Sequence, residues 1–123
     1  MLISKLKQMF QDITVQKKAE LIPEYYHNDL LLFTNGQVMN YQTFFELHQK
    51  SCQTAIIFEV EYDEETFVEK DNKLAGRIWI TVQLPLQKVH KLEVMLIVHY
   101  QEGKIHRLWE TTYPDWSALP EFQ

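Results

Sequence analysis

Between residues 54 and 113 the chain alternates along four extended stretches, and both sides of the alternation carry large side chains. Ile78, Ile80, Val82 and Leu84 fall on one side of one stretch, and Leu92, Val94, Leu96 and Val98 on one side of the next. The opposite positions hold Arg77, Trp79, Thr81, Glu93 and His99, with Arg107 and Trp109 further on. Successive side chains of a strand point to opposite faces, so a period of two sorts residues onto two surfaces. A sheet with one packed face and one plainly solvated face has no need of tryptophans on the second. Both faces are expected to be covered.

The stretches are predicted as an antiparallel meander. The first strand runs from Thr54 to Glu69, with Ile56, Phe58, Val60 and Tyr62 on one side, and its acidic run Asp63-Glu64-Glu65 reads as a solvated edge or bulge. The second runs from Leu74 to Leu84 and stops at Pro85, which cannot donate to a central ladder. The third covers Val89 to Tyr100 and the fourth Lys104 to Tyr113, joined at Glu102-Gly103. Pro114 and Pro120 break up the tail.

The first half is helical. Leu2, Leu6, Met9, Phe10 and Ile13 recur at three- and four-residue steps, the mark of an amphipathic helix. A shorter helical piece is predicted from Lys18 to Tyr26, with Pro23 near its first turn. Leu30–Thr34 reads as a brief strand, Asn35-Gly36 as a tight turn, and Val38-Met39 as a short return strand. Asn40 caps a helix from Tyr41 to Gln53. Helices and strands are segregated, so the class is α+β, a single domain over residues 1–123 in which a strongly bent antiparallel sheet wraps its apolar face around the helices.

The order of elements resembles the nuclear transport factor 2-like, or SnoaL-like, cone fold. Tyr25-Tyr26-His27-Asn28-Asp29-Leu30-Leu31-Leu32 is similar to that family's passage from second helix to first strand. Phe44 and Phe45 fall where it places apolar residues of the next helix. Gly103-Lys104-Ile105-His106-Arg107 and Tyr113-Pro114-Asp115 resemble its last hairpin and strand. The resemblance spans almost the whole chain. It implies a conical pocket between sheet and helices, and often a dimer through the outer sheet face. The family includes ketosteroid isomerases, dehydratases, polyketide cyclases, dioxygenase small subunits and non-enzymatic binding domains, so fold does not choose function.

A net charge of −5, with no basic tract, argues against nucleic acid as a partner. Cys52 is the lone cysteine, which excludes an internal disulfide and suits a reducing compartment. The opening stretch lacks the continuous apolar core of a signal peptide, and no run reaches transmembrane length. A cytoplasmic protein without membrane association is expected. No histidine pair stands at a zinc-site spacing, and no glycine-rich phosphate loop occurs, so no metal or cofactor is expected.

Candidate site residues follow from strand parity. If Arg107 and Trp109 share the outward face with Arg77 and Trp79, then His106 and Glu110 point into the cone, about 13 Å apart along the strand. Glu110, His106 and His48 are the candidate acid–base groups; an apolar pocket raises a carboxylic acid's pKa by desolvation. Tyr26, Tyr41, Phe58, Tyr62, Val82, Leu96 and Tyr100 are the expected pocket lining. The plainer readings stand beside these: Glu110 as a rim residue paired with Lys or Arg, His106 as a solvated hairpin residue, His48 as a satisfied half-buried histidine. The isomerase pattern is incomplete, because the opening helix has no tyrosine and the third strand has no inward aspartate. Two functions remain: a module binding a small hydrophobic ligand or partner, or a cofactor-free isomerase, dehydratase or cyclase. On the outward face Arg77, Trp79, Glu93, His99, Arg107 and Trp109 are the expected seam of a homodimer, since interfaces favour Trp and Arg at their centres.

Overall fold

Leu6, Met9 and Ile13, the stripe that marks the opening segment as amphipathic, are all almost fully buried in the computed structural model, which describes residues 1–122. They lie on α1 (Leu2–Met9) and on a π-helical turn that extends it (Phe10–Val15). A 3₁₀ turn (Ala19–Leu21) leads into a single helical turn, α2 (Ile22–Tyr25), with Pro23 in its first turn. This is shorter and more broken than the predicted helix from Lys18. The reason is Tyr26: it leaves helical geometry to begin β1 (Tyr26–Thr34), four residues before the predicted strand.

Asn35 and Gly36 both have positive φ, and the tight turn they make returns the chain as β2 (Gln37–Asn40). Asn40 then caps α3 (Tyr41–Cys52), its Oδ1 accepting from the Thr43 backbone N–H at 2.9 Å. Four long strands follow: β3 (Ile57–Lys70), β4 (Lys73–Gln83), β5 (His90–Gln101) and β6 (Lys104–Tyr113). Positive φ at Asp71 and Asn72, and at Glu102 and Gly103, closes two of their hairpins.

The sheet is larger than the predicted four-stranded meander. Its order is β2-β1-β6-β5-β4-β3, and β1 runs parallel to β6, with Leu32 opposite Leu108 and Thr34 opposite Glu110. The β1–β2 hairpin is thereby stitched to the last strand. Three register shifts interrupt the sheet, the first between Tyr26 and Leu31 where β1 pairs with β6. In β3 the pairing with β4 slips between Asp63 and Val68, at the predicted acidic bulge. Thr66 secures the slipped segment, accepting from Arg77 N–H at 2.8 Å and donating to the Asp63 carbonyl at 2.7 Å. In β6 an extra residue, His106, sits opposite the step from His99 to Tyr100.

The inner face carries Leu74, Ile78, Val82, Leu92, Val94, Leu96, Val98, Ile105 and Leu108, all buried with the α1 stripe, Ile22 and Phe44 in one core. Burial of this set is the main driving force for the fold. The chain is an α+β cone in which the curled sheet wraps its apolar face around the N-terminal helices. No helix is long and apolar enough to cross a membrane.

Candidate functional site

A cavity of about 150 Å³ remains inside the cone. α1 and its π-turn contribute Leu6, Met9, Phe10 and Ile13, α3 contributes Phe44, Leu47, His48, Ser51 and Cys52, and the sheet contributes Tyr26, Phe58, Val82, Leu96 and Leu108. The C-terminal segment adds Trp116 and Phe122 from two 3₁₀ turns (Trp116–Ala118 and Pro120–Phe122). Their rings meet edge-on at 5.7 Å, and Phe122 also packs near Phe58 at 6.4 Å. The segment that reads as a broken tail therefore forms part of the cavity wall. Trp116, Leu119 and Phe122 recur every third residue, a spacing that could have revealed it.

Against this largely apolar lining stand two ionisable groups with opposite tendencies. Glu110 enters from β6, and burial pushes its carboxyl pKa upward, opposed by a hydrogen bond from Thr34 Oγ1 to Oε2 at 2.9 Å. His48 enters from α3, and burial pulls its pKa downward. His48 Nδ1 lies 3.1 Å from the Phe44 carbonyl, one helical turn earlier, and the imidazole packs on the Phe44 ring at 4.1 Å. A carbonyl only accepts, so the proton of the neutral ring resides on Nδ1, and Nε2 is left as a base. Desolvation thus favours a protonated carboxyl and a neutral imidazole in one chamber.

Thr34 and Thr112 are the polar residues buried within the core. The Trp116 indole N–H donates to Thr34 Oγ1 at 2.9 Å. Thr112 Oγ1 accepts from Asn35 Nδ2 and from the Trp116 backbone N–H, at 2.8 and 3.1 Å. The Asn-Gly turn, the end of β6 and the C-terminal segment are thus joined beside Glu110. Sequence reasoning missed Thr34, Thr112 and Trp116; inward strand parity was the signal for the two threonines, and the every-third spacing of the tail for Trp116.

The other expected pocket residues divide. Tyr26, Phe58, Val82 and Leu96 line the cavity. Tyr26 donates to Met9 Sδ at 3.2 Å, and its phenol is pushed upward mainly by burial. Tyr41 instead stacks on Phe45, with ring centres 6.1 Å apart. Tyr62 faces a separate groove with Lys7 and Val60, near the Phe10 edge. Tyr100 is buried in the core outside the cavity lining.

His106 corrects the expected parity. The bulge places both Ile105 and Leu108 inward, three residues apart, and leaves His106 outside the cavity. There it packs edge-on against His27 at 4.9 Å, with Nε2 3.5 Å from Asp29 Oδ2 and 3.1 Å from Arg107 Nη1. The odd spacing of Ile105 and Leu108 was the available sign. Among the described residues no group of three or more His, Cys, Asp and Glu side chains is arranged to hold a metal.

On the outer face, Arg77 lies over the Trp79 ring at 4.8 Å and pairs with Asp63 at 2.6 Å and Glu93 at 3.3 Å. His99 meets the Trp109 ring at 4.7 Å, and Phe33 stacks on Trp109 at 5.5 Å. Arg107 donates to the Asp29 carbonyl at 2.8 Å. The expected seam residues do face outward, but not as one cluster on neighbouring strands. β5 separates the Arg77–Trp79 group on β4 from Arg107 and Trp109 on β6, and exposed Met95 and Ile97 fill the gap.

Comparison of the sequence with protein-family models and with curated proteins finds no match. The fold, however, is shared with many solved structures. PrhC from Penicillium brasilianum aligns with a TM-score of 0.74 at 17% identity, over 90% of this chain and 79% of that one. An LEH-like epoxide hydrolase from M. tuberculosis aligns with a TM-score of 0.72 at 11% identity, over 89% and 83%. IdmH, a putative polyketide cyclase from Streptomyces antibioticus, aligns at 0.69 and 10% identity, over 89% of both chains. Together with the helix order and the curled sheet, these likenesses show that the chain shares the α+β cone fold of those structures.

Proposed function

We propose that this chain binds a small, mainly apolar molecule inside the cone. The observation that carries the reading is the 150 Å³ cavity, whose walls are mostly Leu, Ile, Val, Met and Phe but which also holds Glu110 and His48. A cavity of that size and lining accommodates a ring about the size of benzene. Small sites of this kind orient a ligand through a few polar groups on apolar walls. Titration with cyclic ketones and alkenes of that size, followed by methyl NMR of Leu96 and Val82, tests it. Saturable shifts at these residues are expected; if no compound moves them, the cavity is a packing defect rather than a binding site.

A second reading, a cofactor-free isomerase, dehydratase or cyclase, is favoured by the opposite pulls on Glu110 and His48. Environments that push two titratable groups apart are how enzymes assign acid and base. Here His48 Nε2 takes a proton from carbon next to a carbonyl, while Glu110 protonates the carbonyl oxygen, giving an enol. The test is deuterium wash-in to a bound ketone in D₂O. Acceleration that is lost in both Glu110→Gln and His48→Gln supports catalysis; exchange at the buffer rate leaves only binding.

The chain also forms a homodimer, in this reading, through the outer sheet face. Met95 and Ile97 are each about half exposed there, at 49% and 48%, between the two aromatic groups. Apolar residues ringed by Trp and Arg are the anatomy of an interface centre.

A further inference from the structure

The hydrogen bonds around Glu110 have a fixed polarity. An indole N–H only donates, so Thr34 Oγ1 must accept from Trp116 Nε1 at 2.9 Å. Thr34 is 1% exposed, and Glu110 Oε2, also at 2.9 Å, is the side-chain acceptor beside its hydroxyl. Were Thr34 to accept from Glu110 as well, its own proton would be buried without a partner, which costs more than the bond gains. The arrangement that satisfies every group runs one way: Trp116 N–H to Thr34, Thr34 O–H to Glu110 Oε2.

Resting on the proposal that the cavity binds a small ligand, we propose that Trp116 and Thr34 are positioning residues that hold Glu110 Oε2 as an acceptor, so that the acid proton resides on Oε1 and the site selects ligands presenting a bare acceptor oxygen, such as a carbonyl or ether. A hydroxyl proton aimed at Oε2 from inside the cavity would compete with Thr34. A carbonyl aimed at Oε1 accepts the one O–H that the carboxylic acid can donate. Among the described residues Oε1 has no protein hydrogen-bond partner, yet it is not a buried unpartnered atom as the Tyr100 hydroxyl is, so a ligand that lacks an acceptor takes solvent from this donor without replacing it. The titratable groups sharing the chamber are Tyr26 on β1 and His48 and Cys52 on α3. Burial keeps the first and last neutral, so His48 is the group whose titration must be separated.

Cyclohexanone and methylenecyclohexane, equal in shape and differing in one oxygen, are the probes. The ketone is expected to bind roughly fivefold tighter than the hydrocarbon, in line with one net hydrogen bond. That advantage disappears as Glu110 ionises, in His48→Gln as in the wild type. Equal binding of the two overturns the ligand class, whereas binding of neither overturns the cavity reading and this inference with it. The proton's location is read separately, from the infrared carbonyl stretch of protonated Glu110, assigned by its loss in Glu110→Gln. Thr34→Val should move the stretch to higher frequency, because Oε2 loses its donor, and Thr34→Ser should restore it. Should Thr34→Val not fold, Trp116→Phe serves: freeing Thr34 to accept shifts part of the band upward. A stretch indifferent to these substitutions overturns the assignment.

Discussion

Gly76 lies so close beneath the Phe67 ring that a Cβ built on it would stand 2.5 Å from Phe67 Cδ1 and 2.7 Å from Cγ. The closeness comes from the slipped segment of β3, which brings Phe67 over β4 and beside Tyr62, with ring centres 6.4 Å apart. Contact with Cγ, at the base of the ring, leaves little freedom for the side chain to swing clear. Gly76→Ala should therefore cost about 1–3 kcal/mol through overpacking. Urea unfolding checks this, and Phe67→Leu in the same background should recover part of the loss. A Gly76→Ala protein as stable as the wild type would mean the ring relocates freely.

Tyr100 makes the opposite prediction. Its hydroxyl is buried and has no hydrogen-bond partner among the described residues. A buried unpaired hydroxyl costs about 1–3 kcal/mol, and Phe keeps the ring while deleting it. Tyr100→Phe should raise stability by about 1 kcal/mol or more in chemical denaturation. A loss of stability would reveal an acceptor that the hydroxyl reaches in solution.

Much of this fold is legible in the sequence, and what is not has a physical reason. The period-two runs of β4 and β5 set the inner and outer faces, and Asn35-Gly36 and Asn40 mark a turn and a helix start through local chemistry alone. The parallel pairing of β1 with β6 is invisible, because no local pattern joins residues 76 positions apart such as Thr34 and Glu110. The β6 bulge defeats parity directly: one extra residue turns His106 outward while Glu110 stays inside. Of the three candidate acid–base groups, alternation carried Glu110 to the cavity and failed for His106, while His48 reaches the same lining from α3.

The pH dependence of stability separates the two cavity groups. The Glu110 carboxyl is raised above its ordinary value of 4.5, so the folded chain holds a proton there that the unfolded chain releases. Its contribution is complete below pH 4.5 and is lost as pH rises through the folded value. His48 is lowered below 6.5, so its contribution is present above that pH and lost as pH falls through the folded value. Glu110→Gln keeps an acceptor for Thr34 but cannot ionise. It should flatten the decline above pH 4.5 and gain on the wild type towards neutrality. His48→Gln should flatten the acid-side loss below 6.5. Thermal melts across pH 4 to 8 check both, and an unchanged slope in Glu110→Gln would place that carboxyl in contact with solvent.

The dimer is best tested at the centre of the outer face. Trp79→Glu is an ambiguous probe, because Trp79 stands opposite Glu61 on β3 and Glu93 on β5. A third carboxylate in that row destabilises the monomer by like-charge contact. It also removes the ring over which Arg77 and Lys91 lie at 4.8 and 5.5 Å. Ile97 avoids both problems: it is half exposed, and its cross-strand neighbours are Ala75 and Trp109. Light scattering should give twice the chain mass for the wild type and the single mass for Ile97→Glu, with unchanged far-ultraviolet circular dichroism. The wild-type melting temperature should rise with protein concentration and that of the variant should not, since association stabilises the folded chain by mass action. A wild type of single-chain mass at high micromolar concentration would leave the Arg77–Trp79 and Phe33–Trp109 stacks as solvated features of a monomer.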